Sequence, residues 1–175
     1  VALRETEVNL LDIARSTKTM LAAKTIEKSI EITLSDQLDI CLRADERKLK
    51  QVLINLVNNA IKFTPENGRI ELNLSAGDEN FVSLYVIDSG HGISKEEINN
   101  VMRPFGRARY SVSKSIEGTG LGLPLAKSIV ELHEGELKIA SNKGKPGTTI
   151  EIRLPKYRVV EIPGNYPHLN LVARP

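Results

Sequence analysis

The clearest pattern in the chain lies between residues 45 and 63. Leu49, Val52, Leu53, Leu56, Val57, Ala60 and Ile61 recur at i, i+3, i+4 spacing and define one apolar face of a helix. Asp45 is placed to cap its start, and Pro65 and Gly68 stop it. A weaker helical spacing runs over residues 10–28 through Leu10, Ile13, Ala14, Thr17, Leu21 and Ile26, and another predicts a helix around 121–132. A short helix signal follows Ser94. Elsewhere the apolar residues alternate with polar ones. This predicts strands at 30–34, 40–42, 70–74, 81–87, 136–140 and 148–154. Ser35-Asp36-Gln37 supplies turn chemistry between the first two strands. Gly77-Asp78-Glu79-Asn80 should turn strand 70–74 into an antiparallel partner at 81–87, and Gly144-Lys145-Pro146-Gly147 separates the last two. Together the elements predict an α+β two-layer sandwich, with helices on one side of a mixed, mainly antiparallel sheet.

Two stretches lack periodicity. Residues 89–118 are rich in Gly, Ser, Arg and Lys, and a loop of that length inside a compact domain is usually functional or mobile. Residues 155–175 hold four of the eight prolines, so the domain is expected over 1–155 and a tail or linker over 156–175.

Composition narrows the class without naming a function. A chain of 175 residues, 41% hydrophobic and 26% charged, fits one globular domain. No apolar run approaches the ~18 residues of a membrane span. The formal net charge of +2 does not advertise nucleic acid. The single cysteine, Cys41, excludes an internal disulfide and a multi-cysteine zinc site and suits a reducing compartment. Because the sequence opens on Val1, it is expected to be a piece of a longer protein.

The candidate chemistry falls at four places. On the central helix, Asn55, Asn59 and Lys62 stand at i, i+4 and i+7, so their side chains share a narrow stripe opposite the apolar face. Carboxamide oxygens can complete the shell of Mg²⁺ beside phosphates, and an ammonium can pair with phosphate oxygen. A solvated helix face would also accommodate these residues, although Asn58-Asn59 in mid-helix costs propensity. Next, Asp88-Ser89-Gly90-His91-Gly92 follows a strand; a carboxylate there can accept from an exocyclic amine such as adenine N6, and a plain turn is the alternative. Third, Gly118-Thr119-Gly120-Leu121-Gly122 opens a helix whose free N–H groups would suit phosphate. It matches neither a Walker loop nor a Rossmann turn. Finally, residues 103–117 carry Arg103, Arg107, Arg109 and Lys114 against Glu117, a local surplus of basic charge able to close over a polyphosphate.

In combination these motifs resemble the catalytic ATP-binding domain of sensor histidine kinases, within the gyrase, Hsp90, histidine kinase and MutL type of ATPase. The resemblance covers about residues 8–155. Asn55-Leu-Val-Asn-Asn59-Ala-Ile-Lys62-Phe63 is similar to the N box, Asp88–Gly92 to the G1 box, Arg103-Pro104-Phe105-Gly-Arg107 to the F box and Gly118–Gly122 to the G2 box. Gly147-Thr148-Thr149 and the closing Leu154-Pro155 follow the same pattern.

The resemblance implies a Bergerat-type fold, a mixed sheet backed by three helices with ATP between helices under a lid. It implies transfer of the ATP γ-phosphoryl to a histidine and onward to a response regulator. Asn55 and Asn59 would hold Mg²⁺, and Asn55, Asn59, Lys62 and Arg107 would serve the transfer. Nucleotide contacts would come from Asn59, Lys62, Asp88, Gly90, Gly92 and Ile93. Further contacts would come from Phe105, Gly118, Thr119, Gly120, Leu121, Gly122 and Thr148. The acceptor histidine would sit on an upstream dimerisation domain, making the full-length protein a homodimer. His133-Glu134 is not expected to be that acceptor, since Gly135 follows at a helix end. Related ATPases carry Glu where this chain has Asn55, and an amide cannot act as a base for water, so efficient hydrolysis is not expected. The implied location is cytoplasmic, with no nucleic-acid partner and no membrane contact by this domain; any membrane anchor of the parent would lie upstream. A non-catalytic, nucleotide-binding regulatory domain is the alternative.

Overall fold

A computed structural model of the chain describes residues 2–35, 38–107 and 120–161. Its elements, in order, are β1 (Thr6–Asn9), α1 (Leu10–Met20), α2 (Ala22–Glu27), β2 (Glu31–Ser35), β3 (Cys41–Ala44) and α3 (Glu46–Phe63). After these come β4 (Arg69–Ser75), β5 (Phe81–Asp88), α4 (Lys95–Val101), α5 (Gly122–Leu132), β6 (Glu136–Ser141), β7 (Thr148–Pro155), a 3-10 turn (Lys156–Arg158) and β8 (Val159–Glu161).

Five strands form the main sheet in the order β2-β4-β5-β7-β6. Only β2 and β4 run parallel; the other pairings are antiparallel. Alternation along β4 and β7 sends Ile70, Leu72, Leu74, Ile150, Ile152 and Leu154 to one face. That face is covered by the predicted stripe of α3, all seven residues of which are buried, and by Ala126, Ile129 and Val130 of α5. The opposite face is polar: the Ser83 and Tyr85 hydroxyls both donate to Glu151, at 2.7 and 3.0 Å. The fold is the expected α+β sandwich, with three longer helices, α1, α3 and α5, and two short ones among the described residues.

The structure departs from the periodicity at four points. The helix expected over 10–28 is two helices broken at Leu21, whose N–H turns back to Thr17 O at 3.1 Å. The break rotates the second helix, so Ile26 lies 76% exposed although its spacing placed it on the buried stripe. The strands predicted at 30–34 and 40–42 do not pair with each other. β2 joins the main sheet beside β4, whereas β3 is the middle of a second sheet, β1-β3-β8. β1 itself is too short to show alternation. Residues 156–161, read as the start of a tail, belong to the fold. Arg158 is buried and donates from Nε to His133 O at 2.8 Å and from a terminal nitrogen to Glu5 at 2.6 Å. Isolated prolines and charges signal a tail only when nothing pairs with them, and here β3 and Glu5 do.

Candidate functional site

The central strand delivers the first component. β5 runs one residue beyond the predicted 81–87 and ends on Asp88, which continues the buried alternation of Val82, Leu84 and Val86; its neighbours across the sheet are Ile70 and, one residue earlier, Thr149 opposite Ile87. The Asp88 side chain is buried, and its Oδ1 accepts the N–H of Gly90 at 2.8 Å and of Thr148 at 3.3 Å. Burial pushes this carboxyl above the ordinary carboxylate range, against the pull of those two amides and of His91. With Oδ1 fixed, Oδ2 is the oxygen left to read a donor.

Packing then closes the loop around Asp88. Gly147 has φ +115°, and a Cβ there would stand 1.8 Å from the Asp88 carbonyl oxygen, so the β6–β7 turn lies directly against the end of β5. A Cβ on Gly90 would come 2.5 Å from the Phe63 carbonyl, which seats the loop on the last turn of α3. Asn142 braces the arrangement: its Nδ2 donates to Asp88 O at 2.9 Å and Pro146 O at 3.0 Å, and its Oδ1 accepts from the Thr149 hydroxyl at 2.6 Å. Ser141 adds a hydrogen bond to Ile93 O at 2.5 Å. Replacing Asn142 with alanine is expected to cost about 2 kcal/mol in a urea titration, from the bonds lost and a carbonyl left unpaired. The exposed neighbour Lys143→Ala should stay within about 0.5 kcal/mol of wild type.

The second component is the polar stripe of α3. Asn55 and Asn59 are half-buried and Lys62 is exposed. α5 opens against this stripe: a Cβ on Gly122 would lie 3.7 Å from Asn59 Nδ2 and 4.0 Å from its Oδ1. The Asn59 carboxamide thus faces the start of a helix whose first N–H groups lack intrahelical acceptors. Leu121 is 40% exposed beside it. Phe105 is tied to the same corner by its N–H to Gly120 O at 3.2 Å, while its ring remains 73% exposed on a backbone with φ +62°. Arg107 is half-buried, with its carbonyl accepting from Asn100 Nδ2 at 2.7 Å. The structure therefore brings Asn59, Gly120 and Gly122 to one corner, and Asp88, Gly90, Gly92, Ile93 and Thr148 to a second. Phe63 and the last turn of α3 lie between them. Gly118, Thr119, Arg109 and Lys114 lie outside the described residues.

Among the described residues no group of three or more His, Cys, Asp or Glu side chains could hold a metal. Asn55 and Asn59 offer neutral oxygens one helical turn apart, a donor set that suits Mg²⁺ when phosphate supplies the remaining ligands. A separate cavity of about 330 Å³ is lined by Glu7, Asn9, Asp12, Cys41 and Glu46 at the far end of α3, and its acidic wall is unsuited to a polyphosphate. Asn142 and Ser141 escaped the sequence reading. The one signal was an asparagine flanking a Gly/Pro turn, a residue type that bonds nearby backbone.

Residues 44–158 match the family described as histidine kinase-, DNA gyrase B-, and HSP90-like ATPase, and the chain belongs to it. Among curated proteins it is 42% identical over 112 residues to the histidine protein kinase DivJ of Caulobacter vibrioides. That match covers 64% of the chain and 18% of DivJ. It is 41% identical over 117 residues to the non-motile and phage-resistance protein of the same organism, covering 65% of the chain and 14% of that protein. The chain thus spans less than a fifth of either relative. The catalytic domain of histidine kinase ThkA superposes with a TM-score of 0.74 at 29% identity, covering 87% of this chain and 97% of that one. Full-length ShkA in complex with AMPPNP gives 0.75 at 26%, covering 89% and 32%. ThkA in complex with the response regulator TrrA gives 0.72 at 29%, covering 87% and 42%.

Proposed function

We propose that this chain is the ATP- and Mg²⁺-binding catalytic domain of a two-component sensor histidine kinase. The observation that carries the reading is the pairing of a buried Asp88, its Oδ1 locked by two amides, with a helix start that opens on Asn59. Asp88 Oδ2 accepts from the adenine exocyclic amine, and the glycines of the loop let the flat base lie against backbone. The first N–H groups of α5 and the Lys62 ammonium take phosphate oxygens. Asn55 and Asn59 would hold Mg²⁺, which bridges phosphate oxygens and offsets their charge during transfer. Arg107 is the basic side chain of the described lid residues assigned to the transferring phosphoryl.

The nucleophile is a histidine on another domain. His133 does not serve, because it is fully buried: its Nε2 accepts the Asp45 N–H at 3.0 Å and its Nδ1 lies 2.8 Å from Ile129 O. A response regulator receives the phosphoryl next, in keeping with the complex of the similar ThkA with TrrA. Among the described residues no helix is long and apolar enough to cross a membrane, and the reading places this domain in the cytoplasm.

Equilibrium ATP titrations with and without Mg²⁺ test the reading. Binding should tighten with the metal, and Asn59→Ala should lose roughly tenfold in affinity, about 1.4 kcal/mol, with most of the loss in the Mg²⁺-dependent part. Incubation with γ-labelled ATP should leave the chain itself unlabelled. Absence of ATP binding, or stable label on one of its own histidines, would overturn the assignment.

A further inference from the structure

Lys28 sits in the short connection between α2 and β2, more than thirty residues from the α3 carbonyls it binds. Its ammonium donates to the carbonyls of Ile61 at 2.7 Å, Lys62 at 3.3 Å and Thr64 at 2.6 Å, and its own carbonyl accepts the Asn67 N–H at 3.2 Å. Those three carbonyls end α3, where helical acceptors run out of intrahelical donors and partial negative charge collects. The same turn carries Lys62 at the end of the Asn55–Asn59 stripe, and the Phe63 carbonyl on which Gly90 is seated. One cation from a distant part of the chain therefore fixes the turn that joins the phosphate-facing stripe to the Asp88 loop. An ammonium has three donors, and three carbonyls use them, so Lys28 has none left for a ligand.

We propose that Lys28 is a positioning residue of the nucleotide site. It acts by holding the last turn of α3 so that Lys62 faces the phosphates. This inference rests on the ATP reading above. Lys28→Met keeps the aliphatic stem and removes the donors, and is expected to weaken ATP binding roughly five- to tenfold at a temperature where circular dichroism shows it folded. Lys28→Arg restores the charge without the compact three-way geometry, and should fall between the two.

The decisive readout is a double-mutant cycle with Lys62→Ala. Because Lys28 works through Lys62, adding Lys28→Met to Lys62→Ala should weaken ATP binding by less than about twofold further. Independent factors in the cycle, or wild-type affinity in folded Lys28→Met, would overturn the proposal and leave the ATP reading intact. If Lys28→Met does not fold, wild-type affinity in Lys28→Arg overturns it instead. A wild-type chain that binds no ATP overturns the reading and the inference together.

Discussion

Asp88→Asn is expected to lower ATP affinity by about 100-fold, close to 2.7 kcal/mol, while leaving the unliganded fold as stable as wild type or more so. The two halves of this result have one cause. Oδ1 of Asp88 is already used by the Gly90 and Thr148 amides, and an asparagine Oδ1 accepts both equally well. The position of Oδ2 changes most, from an acceptor into an NH₂ donor that would face the donor group of adenine. Stability moves the other way because the wild-type carboxylate is buried, and burial raises its protonation range. A carboxyl whose folded-state value lies above its unfolded value favours the folded state at low pH, and loses that contribution as pH rises through the folded value. The stability gap between Asp88→Asn and wild type should therefore widen in favour of the variant as pH is raised from about 4 toward neutrality. Chemical denaturation at several pH values, set beside ATP titration, measures both. A variant that loses binding together with several kcal/mol of stability would show that Asp88 is structural only.

His133→Ala should destabilise the fold by about 3–4 kcal/mol without a specific effect on nucleotide affinity at temperatures where it remains folded. The imidazole is fully buried, and its removal leaves a cavity together with the unpaired Asp45 N–H. It also ties the cap of α3 to the end of α5, at the end of both helices remote from Asp88. Burial holds the His133 value below the ordinary imidazole range, with the adjacent Arg158 acting in the same direction and Asp45 and Glu5 opposing. Here the folded value is the lower one, so the unfolded chain takes up the proton first. The contribution is complete above about pH 6.5 and is lost as pH falls below that, toward the folded value. Wild type should lose stability across that window, and His133→Phe, which cannot titrate, should not.

The carboxylates around the imidazole answer at lower pH. The Arg158 hydrogen bond holds Glu5 down, while Asp45, raised by burial, is pulled down further by the Arg4 and Lys48 amides. Their contributions disappear only as pH falls below about 4.5. A pH profile therefore separates them from His133.

Much of the site was legible because its signals are local. The α3 stripe is a matter of 3.6-residue spacing, so the placement of Asn55, Asn59 and Lys62 opposite the buried face followed from it. Asp88 was legible because a strand pattern ran straight into an Asp-x-Gly turn. Lys28 and Asn142 were not legible, because their bonds join residues 28 to 61–64 and 142 to 88. No periodicity relates such positions. The pairing of β2 with β4 was hidden for a similar reason: turn residues between two short strands favour a hairpin, and only the competing main-sheet edge decides otherwise.

What the sequence determined by itself was most of the elements, the face that α3 and the main-sheet strands bury, and the residue types able to meet adenine, phosphate and Mg²⁺. These follow from backbone geometry acting over a few residues. The tertiary structure decided which elements become neighbours, that residues 156–161 close the fold against β3 and Glu5, and that Asp88 is held at two hydrogen bonds and high burial. Those outcomes depend on long-range packing and desolvation, which exist only once distant segments have excluded water from between them.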